Sequence, residues 1–159
     1  MQPTSIAYTP QQLGVYMDEF KNMCQARNLR LTQQRLEVFR ALVSSFEHPS
    51  AEDVFETVRP VLPKISLDTV YRTLSSLEEA GLITRVGVSN QARYDAHMEP
   101  HYHFVCTKCG EVYDIFLPKG ERVAAVPQDI EKFGKVMAVN LQFRGICKQC
   151  QRTAADVKN

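Results

Sequence analysis

Four cysteines of this chain fall into two Cys-x-x-Cys pairs, Cys106 with Cys109 and Cys147 with Cys150. That spacing lets both thiolates of a pair reach one tetrahedral ion, so the two pairs together supply the closed four-cysteine site of a structural Zn2+. The 37 residues between the pairs exceed a simple zinc-ribbon spacing, so the second pair must return to the first after a folded excursion. Two redox dithiols, or four reduced core cysteines, would have to arrive at the same spacing twice by chance. Cys24, the fifth cysteine, has no such partner, lies on the apolar stripe of a predicted helix and reads as core.

A second set is built from imidazole and carboxylate. His101 and His103 stand two apart in the strand-like run His101-Tyr102-His103-Phe104-Val105-Cys106, which puts both rings on one face. The next strand-like run, Glu111 to Phe116, carries Asp114, and an antiparallel pairing would bring it beside them. Asp95, a few residues upstream, could reach the same place or simply form a turn. His48 lies far earlier, in Phe46-Glu47-His48-Pro49, and taken singly both His48 and His97 read as surface residues. Nitrogen and oxygen donors suit Fe2+, Mn2+ or Zn2+, with the thiolates kept to the other site.

These donors need elements to hold them. The first half shows four helix signals, each opened by a capping residue: Thr9-Pro10-Gln11-Gln12, Thr32, Ser50-Ala51-Glu52-Asp53, and Ser66 with its helix running to Gly81. Apolar residues follow at helical spacing, as in Leu13, Tyr16, Met17, Phe20 and Met23. After Gly81 the period changes to that of a hairpin, Leu82 to Val86, a turn over Gly87 to Asn90, and Ala92 to Asp95. Helices followed by a short β-wing make a winged helix-turn-helix, whose last helix enters the major groove. On that reading Ser66–Ala80 is the recognition helix, with Thr69, Tyr71 and Arg72 near its exposed start, while Arg30 and Arg35, with Arg27 and Arg40, could meet phosphates. The same arginines could equally form a solvated face. Beyond the wing the sequence predicts a hairpin over the first cysteine pair, a short helix over 127–134 and a long strand from Val136 to Ile146.

The expected fold class is therefore α+β: residues 1–94 a winged-helix DNA-binding domain, 95–100 a hinge, and 101–159 a metal-binding domain. Length and composition agree, because 159 residues with 44% apolar and 23% charged suffice for one or two small folded units and exclude a disordered or low-complexity chain. Net charge is only +1, and residues 1–90 carry nine Lys or Arg against ten Asp or Glu, so DNA binding must come from local placement. No apolar run approaches the roughly 18 residues of a membrane span and no secretion signal opens the chain, so a cytoplasmic location without membrane contact is expected.

The segments Arg30-Leu31-Thr32-Gln33-Gln34-Arg35, His48-Pro49-Ser50-Ala51-Glu52, Ser66 to Leu74, Gly81-Leu82-Ile83, His101 to Cys106 and the second cysteine pair, in this order, resemble the ferric uptake regulator family over nearly the whole chain. The resemblance implies a homodimeric, metal-dependent DNA-binding repressor that recognises a palindromic double-stranded operator. It further implies a carboxy-terminal α/β dimerisation domain, the four-thiolate zinc, and a regulatory Fe2+ or Mn2+ at the hinge held by His48, Asp95, His101, His103 and Asp114. Within the family that set resembles the peroxide-sensing branch, in which aspartate rather than glutamate is associated with the position of Asp114. Two features depart from a simple assignment: Met137 to Leu141 lacks the histidine of an additional metal site, and Arg72 after Tyr71 is common in iron regulators. An iron- or other metal-responsive regulator is thus the alternative. No H-E-x-x-H, nucleophile elbow or phosphate loop suggests an enzyme. A zinc-dependent interaction module would leave the histidines and the wing without a role.

Overall fold

The computed structural model describes residues 8–88, 91–118, 121, 127–136 and 139–156. Their elements are α1 (Pro10–Ala26), α2 (Gln33–Val43), α3 (Ala51–Val58), α4 (Leu67–Glu79), β1 (Thr84–Val88), β2 (Gln91–Asp95), β3 (His101–Cys106), β4 (Val112–Phe116), a 3-10 helix (Gln128–Lys132), β5 (Gln142–Gly145) and α5 (Lys148–Asp156). By packing they form two compact units: the chain up to Arg85 with Ala92–Met98, and Val86–Gln91 with the chain from Glu99 onward. The division runs through the β1–β2 hairpin rather than after it. Among the described residues no helix is long and apolar enough to cross a membrane.

In the first unit each helix starts where its cap dictates. Thr9 and Gln12 form a reciprocal capping box, Ser50 and Asp53 form another, and the hydroxyls of Thr32 and Ser66 accept from Arg35 N and Thr69 N. Phe20 and Phe39, stacked with ring centroids 3.9 Å apart, join α1 to α2 in a core completed by Val54, Val58, Val70, Leu74 and Leu77. α4 stops in a Schellman turn: Leu82 N donates to Leu77 O, Gly81 N to Glu78 O, and Gly81 takes the left-handed φ of 67° that a Cβ would strain. Leu82 and Ile83, expected in the first wing strand, are instead buried in this core, and β1 begins at Thr84. Of the expected turn, Ser89 and Asn90 lie outside the described residues.

The second unit is a three-stranded sheet in the order β4-β3-β5. β3 and β4 are antiparallel with His103 opposite Asp114, and β5 runs parallel to β3 with Cys106 opposite Gly145. A Cβ on Gly145 would stand 3.0 Å from the Phe104 ring, which is why this position of β5 has no side chain. The long strand expected over Val136–Ile146 is corrected to four residues. Its ladder with β3 spans only His103–Cys106 and ends because the chain must turn there to bring Cys147 N onto Cys106 Sγ at 3.3 Å. Met137 and Ala138 lie outside the described residues. The expected helix over 127–134 is a single 3-10 segment, and α5 was not foreseen at all.

Candidate functional site

The sulfur cluster forms where three elements end. β3 delivers Cys106, a tight turn closed by Gly110 N donating to Cys106 O at 2.9 Å delivers Cys109, and the start of α5 delivers Cys147 and Cys150 one helical turn apart. All four sulfurs lie within 4.8 Å of one another, and Cys109 Sγ is 3.9 Å from Cys147 Sγ. A tetrahedral ion with Zn–S bonds of about 2.3 Å separates its sulfurs by about 3.8 Å, so the donors are already at the right distance. The backbone N–H of Cys147, and after it that of Cys109, hold the Cys106 thiol down at about 6, whereas burial pushes Cys150 up to about 12. The site fits Zn2+.

A second donor group lies on the same unit. His101 Nε2 and His103 Nε2 face each other at 3.0 Å, with Asp114 Oδ1 at 3.9 Å and 3.6 Å from them. The other nitrogen of His101, Nδ1, is 2.6 Å from the Glu99 carbonyl. A carbonyl only accepts, so Nδ1 carries the proton and the Nε2 lone pair of the neutral ring points at His103 and Asp114. That is the orientation a metal ligand needs. Three donor atoms within 4.8 Å, with both rings nearly buried, make this cluster fit a divalent ion.

The first unit holds the remaining two expected ligands. His48 and Asp95 each place a ligand atom within 4.8 Å of the other. The expectation that His48 and His97 lie on the surface is corrected: they are 2% and 9% exposed, and Asp95 is 4%. The reason is tertiary. Strand β2 pins the loop before α3, with Tyr94 N donating to Pro49 O at 3.0 Å and Arg93 Nη1 to His48 O at 3.2 Å. Under that clamp His48 adopts a left-handed φ of 49°, which a non-glycine residue keeps only when its surroundings enforce it. Asp95 ends β2 and turns back on the chain, accepting from His97 N at 3.1 Å and meeting His97 Nδ1 at 2.6 Å. The sequence alone reads His97 as a surface residue and gives it no role at the site. The signal available was the Asp-x-His spacing, since a carboxylate readily accepts from the N–H two residues on.

The expected DNA-reading residues occupy the solvent side of α4, opposite Val70, Thr73, Leu74 and Leu77. Tyr71 and Arg72 are exposed, with Arg72 paired to Asp68 at 2.8 Å. Thr69 is half-buried and its hydroxyl joins that of Ser66 at 2.9 Å, so it serves the helix cap. Arg30 is exposed. Arg35 is used within the fold: its guanidinium donates to the Arg30 carbonyl and to Ser76 Oγ at 3.0 Å, tying the start of α2 to α4.

With the geometry in place, comparison with known proteins is informative. Residues 26–143 match the ferric uptake regulator family. The peroxide-responsive repressor PerR of Staphylococcus epidermidis is 31% identical over 124 residues, covering 77% of this chain and 82% of that protein. Among solved structures, the ferric uptake regulator of Helicobacter pylori, in which three functional metal-binding sites were described, aligns with a TM-score of 0.59 at 25% identity, covering 87% of this chain and 93% of that one. The peroxide stress regulator of Campylobacter jejuni aligns with a TM-score of 0.55 at 27% identity, covering 84% and 98%. By fold these two proteins are similar to this chain to nearly the same degree.

Proposed function

The chain belongs to the ferric uptake regulator family, and from that premise we propose that it is a homodimeric, metal-dependent repressor that senses peroxide through Fe2+ held at the hinge. The observation that carries this reading is the His101, His103 and Asp114 cluster with the His101 tautomer fixed by Glu99. An aspartate at position 114, and a peroxide-responsive relative covering most of the chain, favour peroxide as the signal.

In this reading residues 1–94 read DNA, 95–100 are the hinge and 101–159 dimerise. Four thiolates, Cys106, Cys109, Cys147 and Cys150, hold a Zn2+ that only stabilises. His48 and Asp95 from the first unit and His101, His103 and Asp114 from the second together hold the regulatory ion. Five donors from both units make binding of the ion equivalent to closing one unit on the other. In a dimer, closure sets the two α4 helices about 34 Å apart, the spacing of two half-sites of a palindrome. A coupling of roughly 1–3 kcal/mol, or about 5- to 150-fold in DNA affinity, suffices for a switch.

Fe2+ held by these residues would supply the oxidation chemistry, with hydrogen peroxide as the oxidant: His48 or His101 would gain one oxygen atom on its imidazole and the other would leave as water. Mn2+ organises the same ligands without that chemistry. Loss of one imidazole donor then weakens closure and releases the operator.

The test is mass spectrometry of the Fe2+ and Mn2+ forms after peroxide, beside gel shifts with a palindromic duplex. A gain of one oxygen on a peptide containing His48 or His101, with Fe2+ only, is the expected result. Metal-dependent DNA binding with unmodified histidines would assign the chain to the second reading, an iron- or other metal-responsive uptake regulator. The likeness to the Helicobacter pylori protein favours that reading. A His48→Ala variant that kept full metal-dependent binding would overturn the hinge site itself.

A further inference from the structure

Within the first unit, His97 touches one expected donor, Asp95, and stacks on Phe46, two residues before the other, His48, although it is not itself an expected donor. Its Nδ1 meets Asp95 Oδ1 at 2.6 Å while its backbone N–H donates to the same oxygen at 3.1 Å. The carboxylate can only accept, so the ring carries its proton on Nδ1 and one oxygen of Asp95 takes two hydrogen bonds from a single residue. Two such bonds fix the carboxyl plane and turn Oδ2 away from His97. The face of the same imidazole lies on Phe46, with centroids 4.4 Å apart and planes 26° off parallel, and Tyr8 packs within 5.0 Å of Phe46 and 5.8 Å of His97. Phe46 stands two residues before His48, in the loop that Arg93 and Tyr94 clamp. The His97 side chain is only 1% exposed and that of Asp95 3%, so the pair is shielded from bulk solvent.

We infer that His97 is the positioning residue of the regulatory site: it presents Asp95 to the ion through one oxygen only and, through Phe46, holds the His48 loop at the matching distance. This rests on the hinge site proposed above. Neither effect needs His97 to touch the ion. Groups that orient a ligand from behind are typically worth about 10- to 100-fold in metal affinity. Here one ring serves two ligands that lie 47 residues apart in the chain.

The experiment is Mn2+ titration calorimetry on the zinc-loaded full chain carrying His97→Phe, His97→Met or His97→Gln. Phe and Met keep the volume and lose the N–H donor, and Gln restores a donor. Mn2+ affinity should fall about 10- to 100-fold in Phe and Met and recover in part with Gln, while zinc content stays as in the parent. Asp95→Asn should then cost less on the His97→Phe background than alone, because the carboxylate is no longer held. Should Phe fail to fold, the Met and Gln pair decides by the same comparison. Wild-type Mn2+ affinity in Phe and Met, with Asp95→Ala and His48→Ala losing it, would reduce His97 to a packing residue and leave the hinge site standing. Wild-type affinity in Asp95→Ala and His48→Ala as well would remove the hinge site and the inference together.

Discussion

The phenol of Tyr71, on the solvent side of α4, donates a 2.6 Å hydrogen bond to Glu52 Oε1 on α3. The bond holds the Glu52 carboxyl below its usual range and raises the Tyr71 phenol. On the proposed DNA-reading face a carboxylate would be electrostatically unfavourable, so its value there would lie in orienting the ring. Glu52→Gln should therefore bind random duplex more tightly and the palindromic operator about 3- to 10-fold less selectively, the loss expected when a charged acceptor is made neutral. Competition gel shifts at fixed salt measure both. An unchanged ratio of specific to random binding would leave Glu52 a bystander.

The capping box of Ser50 and Asp53 closes the loop that carries His48, and it should leave a pH signature. The Ser50 hydroxyl, and after it the Ser50 backbone N–H, keep the Asp53 carboxyl below its ordinary 3.8. A carboxyl depressed in the folded state adds stability above its unfolded value, and that stability vanishes as pH falls through the folded value. Asp53→Asn should cost about 0.5–1 kcal/mol at pH 7, the low end for a solvent-facing cap, and nothing near pH 2. Urea unfolding of both proteins at the two pH values checks it, and a cost independent of pH would contradict the assignment.

Much of this organisation was legible locally. The caps at Thr9, Thr32, Ser50 and Ser66 announce helices because each satisfies donors within three residues. The four cysteines and the His103–Asp114 pairing follow from spacing along one or two strands. What escaped depends on distant partners. Burial of His48 and His97 is imposed by Arg93, Tyr94, Phe46 and Tyr8. The end of β5 is imposed by the return of Cys147 to Cys106. Arg35 reads as a phosphate contact until Ser76, 41 residues on, accepts its guanidinium.

Among the described residues the second unit has little core of its own. Besides the half-buried Val88, its cluster is Val86, Val105 and Val112, against seventeen buried residues in the first. Units this poor in apolar burial depend on a staple, and a structural Zn2+ contributes on the order of 10–16 kcal/mol of apparent binding energy. Cys150→Ser, or chelation of the zinc, should therefore melt β3, β4, β5 and α5 while the helices of the first unit persist. Circular dichroism would show loss of the strand signal and one remaining thermal transition. A single cooperative transition at the original temperature would mean the thiolates hold no structural metal.

The large exposed apolar residues among the described residues are unevenly shared, and the imbalance favours the second unit as the place of the dimer contact. Of the eleven large exposed hydrophobics among the described residues, seven belong to the second unit, Phe143 on β5 at 47% and Ile146 at 48% among them. Phe143 is held edge-on to Tyr102 at 5.8 Å, so it is presented as a fixed surface rather than a loose side chain. No described strand pairs with the outer edge of β5, and an uncovered edge that also presents an exposed aromatic ring is open to pairing with another chain. In a homodimer a second copy would cover it. An aromatic anchor at such a contact carries about 2 kcal/mol or more, so Phe143→Glu should weaken dimerisation by at least about 30-fold. Sedimentation equilibrium would register monomer at concentrations where the parent is dimeric. Operator affinity should fall with it, because a monomer reads one half-site, while zinc content and Mn2+ binding remain. A Phe143→Glu protein that stays dimeric would move the contact to another face of the unit.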